Sequence, residues 1–223
     1  MRWKVLEYAE NAFKNLSLVD ANIAIVGGNK NDPEVLLVKK LFVNCQITFL
    51  GVEKNPDVNF LDLNKKTMQH KEFDLVICSQ VIEHIWNQEN FFYNCTRLTK
   101  RGGYLWISCP YNNYPHGSPD YFSAGYSADY LVNNLQAEYK LLFFKEFGSK
   151  RFFVSSILRK QWLSEEEHKF PFKSKVIKGK SIKFAIYHYL RFDLVWLIFL
   201  SVLSPRIRTD RFVTETVVLA RKC

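Results

Sequence analysis

Five stretches of this chain are largely apolar, seven to ten residues long and bounded by polar or turn-forming residues: NIAIVGG (22–28), QITFLGVE (46–53), FDLVICS (73–79), YLWISCP (104–110) and FVTETVVLAR (212–221). Runs of this kind read as strands buried on both faces of a sheet. A short VNFLDL (58–63) and YKLLFFKEFG (139–148) complete a set of seven. Helical spacing lies between them. Residues 3–18 place Val5, Leu6, Ala9, Phe13 and Leu16 on one face, and Asp32-Pro33 supplies an N-cap and a first-position proline for PEVLLVKKLF. The segment after Glu83-His84 puts Phe91, Phe92, Cys95 and Leu98 at helical spacing and is expected to stop at Lys100-Arg101-Gly102-Gly103. SADYLVNNL follows a polar, aromatic loop.

Strands alternating with helices predict an α/β, Rossmann-like, mostly parallel seven-stranded sheet with helices on both faces. The last strand is expected to pair antiparallel at the edge. Only eight residues lie between Glu53 and Asp62, so the helix between the second and third strands is expected to be reduced or missing. Residues 1–149 and 212–223 form one domain in this reading, and 150–211 a helical insert before the last strand.

Charge changes the picture of the insert. Residues 1–149 carry 15 Lys+Arg and 16 Asp+Glu, whereas 150–223 carry 16 and 6. A nucleic-acid enzyme would spread its basic residues around the cleft, so no nucleic-acid partner is expected. The apolar run Leu194–Leu203 is too short to span a bilayer. With its basic and aromatic flanks the insert is expected to cover the acceptor, form a homodimer contact or touch an anionic membrane peripherally. The five cysteines are scattered without a CxxC pair, as expected of reduced thiols in a cytoplasmic protein. The N-terminus lacks the apolar core of a signal peptide.

In open parallel sheets ligands bind at the carboxyl ends of strands. FDLVICSQVIEHI therefore delivers Gln80, Glu83 and His84 to the working rim. FDLVICSQVIEHI, a helix ending RLTKRGG and the strand YLWISCP together resemble the class I S-adenosylmethionine-dependent methyltransferases, closest in motifs to sugar and polysaccharide O-methyltransferases. The resemblance covers roughly residues 20–149 and the final strand. It implies S-adenosylmethionine as cofactor, held by Gly27, Gly28 and Asn29 after the first strand, by Glu53 on the ribose, by Asp62 and Leu63 at the adenine, and by Ser79 and Gln80 opposite. Asn29 and Asn31 stand where glycines are usual; asparagine tolerates left-handed backbone, so the turn is expected to survive.

An alcohol nucleophile needs its proton removed, and histidine suits that task near neutral pH. His84 and His116 are the candidates for the base, with Glu83 beside His84 facing the acceptor. The alternative is that Glu83-His84 caps the following helix and positions its loop, and that His116 makes an ordinary turn. Metal-assisted relatives carry a carboxylate where Gln80 stands, so a divalent ion is left open without being expected. The loop from Tyr111 to Tyr126 sets Tyr111, Tyr114, Tyr121, Phe122 and Tyr126 among polar residues, a composition suited to sugar faces. It resembles the H-x-x-P-x-D-Y stretch of polysaccharide-cluster methyltransferases at His116, Pro119, Asp120 and Tyr121. The expected activity is methylation of a sugar hydroxyl in a glycan or nucleotide-sugar. Two alternatives stay open: a lipid-like phenol or quinone precursor at a membrane surface, and a non-catalytic binding subunit of methyltransferase fold.

Overall fold

The computed structural model describes residues 2–53, 55–66, 71–112, 119–148 and 213–223. Two units divide the chain, Met1–Glu146 with Thr214–Cys223 and Phe147–Val213. The expected insert at 150–211 lies outside the described residues.

Seven strands form one sheet: β1 Asn22–Val26, β2 Gln46–Gly51, β3 Val58–Phe60, β4 Phe73–Ser79, β5 Thr99–Pro110, β6 Tyr139–Phe147 and β7 Glu215–Lys222. Their order is β3-β2-β1-β4-β5-β7-β6. The pairs β1–β2, β1–β4, β2–β3 and β4–β5 are parallel, and β5–β7 is antiparallel. The antiparallel strand is therefore present, but it lies between β5 and β6, and β6 closes the edge. Side chains on both faces of the central strands are buried, Ile23, Leu75, Ile77, Leu105 and Trp106 completely. The continuous apolar runs thus report two-sided cover.

Among the described residues that cover comes from four helices, α1 Arg2–Phe13, α2 Pro33–Leu41, α3 Gln88–Leu98 and α4 Ala128–Leu135. Helix α1 ends earlier than the 3–18 expected. Its buried stripe of Val5, Ala9, Ala12 and Phe13 meets the sheet where Phe13 packs edge-on to Trp106 at 5.2 Å. The β2–β3 connection holds no helix among the described residues; Asn55 turns it, its carbonyl accepting from Val58 N at 3.0 Å.

The expected stop of α3 at Lys100–Gly103 is corrected. The helix ends at Leu98 and β5 begins at once with Thr99, so those four residues open the strand. The register against β4 shifts between Phe73 and Leu75 to absorb them. A Cβ on Gly103 would sit 2.9 Å from Lys100 O and 3.1 Å from Asp74 O, so the irregularity needs a residue without a side chain there. The last carbonyls of α3 are satisfied from afar, with Lys222 Nζ donating to Thr96 O (2.7 Å) and Thr99 O (2.8 Å). A cation at a helix C-terminus also complements the helix dipole.

Asp74, at the entrance of β4, accepts from Asn22 N at 2.9 Å and from Lys100 Nζ at 3.1 Å, tying together the starts of β1, β4 and β5. Burial raises its pKa, and these two donors overcome that and hold it below the usual carboxylate range. All five cysteines are free thiols; Cys78 and Cys95 approach to 3.9 Å between sulfurs in the core.

Candidate active site

The strand order reverses between β1 and β4, the switch point at which open α/β sheets leave a crevice beyond the carboxyl ends of their strands. A cavity of about 460 Å³ occupies it, with Val26 of β1 and Gly27 after it, Gly51 of β2 and Glu53 after it, Asp62 and Leu63 after β3, and Gln80 and Val81 after β4 in its walls. That volume lies in the range of small-molecule and cofactor sites.

Gly27 forms the floor. Its φ is +69°, and a Cβ there would lie 2.7 Å from Val81 Cγ2, so any side chain would both strain the backbone and collide with Val81. A Cβ on Gly28, also in the wall, would meet Asp32 Oδ2 at 2.7 Å. The rest of the turn is closed by polar side chains. Asn29 N donates to Asp32 Oδ2 at 2.7 Å, and Asn29 Oδ1 accepts from Asn31 N at 3.0 Å. Two expectations change here. Neither Asn29 nor Asn31 takes a left-handed backbone, and Asn29 is not in the cavity wall. Asp32 stands at the N-cap of α2 but makes no side-chain cap bond, because its carboxylate is spent on the turn.

Across the cavity, Glu53 is solvent-exposed and Asp62 partly so. Asp62 Oδ1 accepts from Asn64 N at 3.0 Å. Asn64 is a wall residue that sequence reasoning missed. Its Oδ1 accepts from Trp86 N (2.9 Å) and Asn87 N (3.2 Å), while its carbonyl accepts from Asn90 Nδ2 (2.6 Å). Buried Asn94 donates to Leu63 O at 3.2 Å and Lys65 O at 2.8 Å. The loop after β3 is thereby fastened to α3 and to the loop before it, which fixes Asp62 and Leu63. Trp86, 59% exposed at the cavity rim, was also missed. Asparagines spaced along a helix carry no distinctive pattern, and a lone tryptophan reads first as core.

At the end of β4 the expected pair separates. Gln80 lines the cavity with φ at 58°, one of three described non-glycine residues in the left-handed region. Its N donates to Ser108 O at 2.7 Å and its Nε2 to Glu215 Oε2 at 3.0 Å. Ser79 is not in the wall; it pairs in register with Ser108, and its hydroxyl is buried without a hydrogen-bond partner.

Residues Ile82–His84 form a 3₁₀ turn. His84 is in the cavity wall, whereas Glu83 is completely buried behind it and does not face the cavity. Neither Glu83 oxygen has a hydrogen-bond partner, and burial pushes its carboxyl up to about 7. Its carbonyl accepts from Phe122 N (2.9 Å) and Ser123 N (3.3 Å), seating the loop after β5. From that loop the Asp120 carbonyl bonds His84 Nδ1, and Tyr121 lies edge-on to the imidazole at 6.0 Å. A carbonyl can only accept, so Nδ1 carries the hydrogen, and in the neutral ring Nε2 carries the lone pair. Nε2 is 4.0 Å from Glu83 Oε1. Glu215 is buried nearby; desolvation raises its carboxyl to about 8, the Gln80 bond lowering it and Glu83 raising it further.

The reading of Glu83-His84 as a helix cap is corrected: Asn87 caps α3, its Oδ1 accepting from Asn90 N at 3.0 Å. The aromatic loop also divides. Phe122 lines the cavity, while Tyr126 turns to the core, stacked on Tyr130 at 4.9 Å and accepting from Gln88 Nε2 at 2.8 Å. His116 and Tyr114 lie outside the described residues. Among the described residues, no group of three or more His, Cys, Asp or Glu could hold a metal ion. No described helix is long and apolar enough to cross a membrane.

A methyltransferase-domain family model matches residues 35–107, from α2 into β5. No curated protein matches the sequence. Similar solved structures include the cyclase SpnF, 13% identical over 98% of this chain and 80% of that one, with a TM-score of 0.57. Coclaurine N-methyltransferase bound to N-methylheliamine and SAH is 11% identical over 98% of this chain and 71% of that one, at 0.55. Phosphoethanolamine N-methyltransferase 2 of Haemonchus contortus in complex with S-adenosyl-L-methionine is 13% identical, at 0.54, covering 99% of this chain and 52% of that one. The matched segment, the strand order and these structures agree that the chain has the Rossmann-like fold of the class I S-adenosylmethionine-dependent methyltransferases.

Proposed function

We propose that the protein binds S-adenosylmethionine in the switch-point cavity and methylates a hydroxyl of a sugar, in a glycan or nucleotide-sugar, with His84 as the proton acceptor. The observation that carries the reading is the sharing of one cavity by Gly27, Glu53, Asp62 and His84.

The chain's residues fit the cofactor. Gly27, which has no Cβ to collide with Val81, leaves bare backbone in the cavity wall for the methionine part to approach. Exposed Glu53 can accept from both ribose hydroxyls, and Asp62 from the adenine amine. When bound, the cofactor supplies an electrophilic methyl group on a sulfonium. His84 Nε2 would take the proton of an acceptor hydroxyl as its oxygen received that methyl group, the sulfonium leaving as a neutral thioether. The Asp120 carbonyl keeps the imidazole in the tautomer able to take it. Glu83, 4.0 Å away and with a carboxyl near neutrality, can balance the imidazolium so formed. Phe122 and Trp86 at the rim offer apolar faces of the kind a sugar ring stacks on.

Isothermal titration with S-adenosylmethionine tests the first step, and absence of binding at millimolar cofactor would overturn it. Screening glycans and nucleotide-sugars with labelled cofactor tests the second. The sugar reading predicts label on a hydroxyl oxygen; label on an amine nitrogen instead would refute O-methylation.

A further inference from the structure

Gln80 is held in two ways that a residue merely lining a wall does not need. Its backbone is in the left-handed region, which strains a side-chain-bearing residue and clusters at functional positions. Its amide is gripped by an acid 135 residues away in sequence.

That acid is itself fixed. Glu215 opens β7 opposite Pro110, and the bonds around it pin the strand: Tyr111 N donates to Thr214 O at 2.9 Å, and Thr216 Oγ1 to Tyr126 O at 2.9 Å. Glu215 is 5% exposed and outside the cavity wall, so it cannot touch a ligand there. A glutamine has three side-chain torsions to order before it can act as a fixed ligand, and an existing bond to a rigid acceptor removes that ordering from the binding step. With Nε2 given to Glu215, Oε1 is the end of the amide left to accept.

We propose that Glu215 is a positioning residue, holding Gln80 so that Oε1 meets the hydrogen-bond donors of the cofactor at the Gly27 side of the cavity. The proposal rests on the cofactor reading above.

The test is a double-mutant cycle on the full chain, titrating S-adenosylmethionine and S-adenosylhomocysteine into Gln80→Ala, Glu215→Ala, the double variant and Glu215→Gln, with melting curves to establish folding. Each single alanine variant is expected to weaken binding about tenfold, and the double variant also about tenfold instead of about a hundredfold. Glu215→Gln keeps an acceptor oxygen and is expected to stay within about threefold of the parent. Multiplying single effects, or a folded Glu215→Ala that binds like the parent, would overturn the proposal. Failure of the parent chain to bind either ligand would instead overturn the cofactor reading itself.

Discussion

Two pairs of acids flank the same crevice in opposite environments. Glu53 and Asp62, past β2 and β3, reach water and line the cavity. Glu83 and Glu215, beyond β4 and at the start of β7, are buried behind it with carboxyls raised to about 7 and about 8. The first pair is suited to direct hydrogen bonding of a ligand, at little cost to the fold. The second cannot reach a ligand and burdens the fold with buried charge whenever it ionises. A carboxylate near a pocket thus says little until its exposure is known.

The contrast can be broken most sharply at the residue between the two pairs. His84→Ala is expected to lower turnover on the true acceptor 10²–10⁴-fold, as roughly befits loss of a general base, while cofactor affinity holds. Full turnover in that variant would remove the histidine from the chemistry. Next comes Glu53→Ala, which removes an exposed ligand group: cofactor affinity should fall about 30- to 100-fold in calorimetry, with the melting temperature unchanged. A lowered melting temperature would show that Glu53 belongs with the structural acids.

The buried pair should show itself as pH-dependent stability. The unfolded chain releases these protons near the ordinary glutamate value of 4.5, whereas the folded state keeps them until about 7 and about 8. Between those limits the folded state binds more protons, so stability is greatest below about 4.5 and falls as pH rises towards 8. The loss through Glu83 alone is on the order of 3 kcal/mol. Denaturant melts across that window should record it, and Glu83→Gln should flatten much of the slope. A slope unchanged in that variant would mean that Glu83 is not the titrating group. The smallest effect belongs to Asn87→Ala, which removes the cap of α3 and should cost about 1 kcal/mol without altering cofactor affinity.

The exposed side of the site was the legible side. Gly27, Gly28, Glu53, Asp62 and Gln80, most of which the family resemblance marks, stand just past strand ends and line the cavity. What escaped was whatever depends on partners far along the chain. Glu215 alternates with threonines in an ordinary strand pattern; only the β5–β7 register buries it and sets it against Gln80. Asn64 is another asparagine in a loop until its bonds to Trp86, Asn87 and Asn90 are counted. Local rules misled at Lys100-Arg101-Gly102-Gly103, where basic residues and glycine suggest a helix end, because a bulge against β4 lets the strand begin immediately. Asp32 misled similarly: its side chain could cap α2 or close the glycine turn, and the turn takes it.

The place of β7 has a consequence for synthesis. Residues 215–222 fill the slot between β5 and β6, so a nascent chain holding every cavity residue still lacks an interior strand of its sheet. Until that segment leaves the ribosome, one side of β5 presents unpaired backbone groups and the apolar residues Leu105 and Ile107 miss a neighbour. Until then the β5 edge is the open strand that a chaperone or protease would meet.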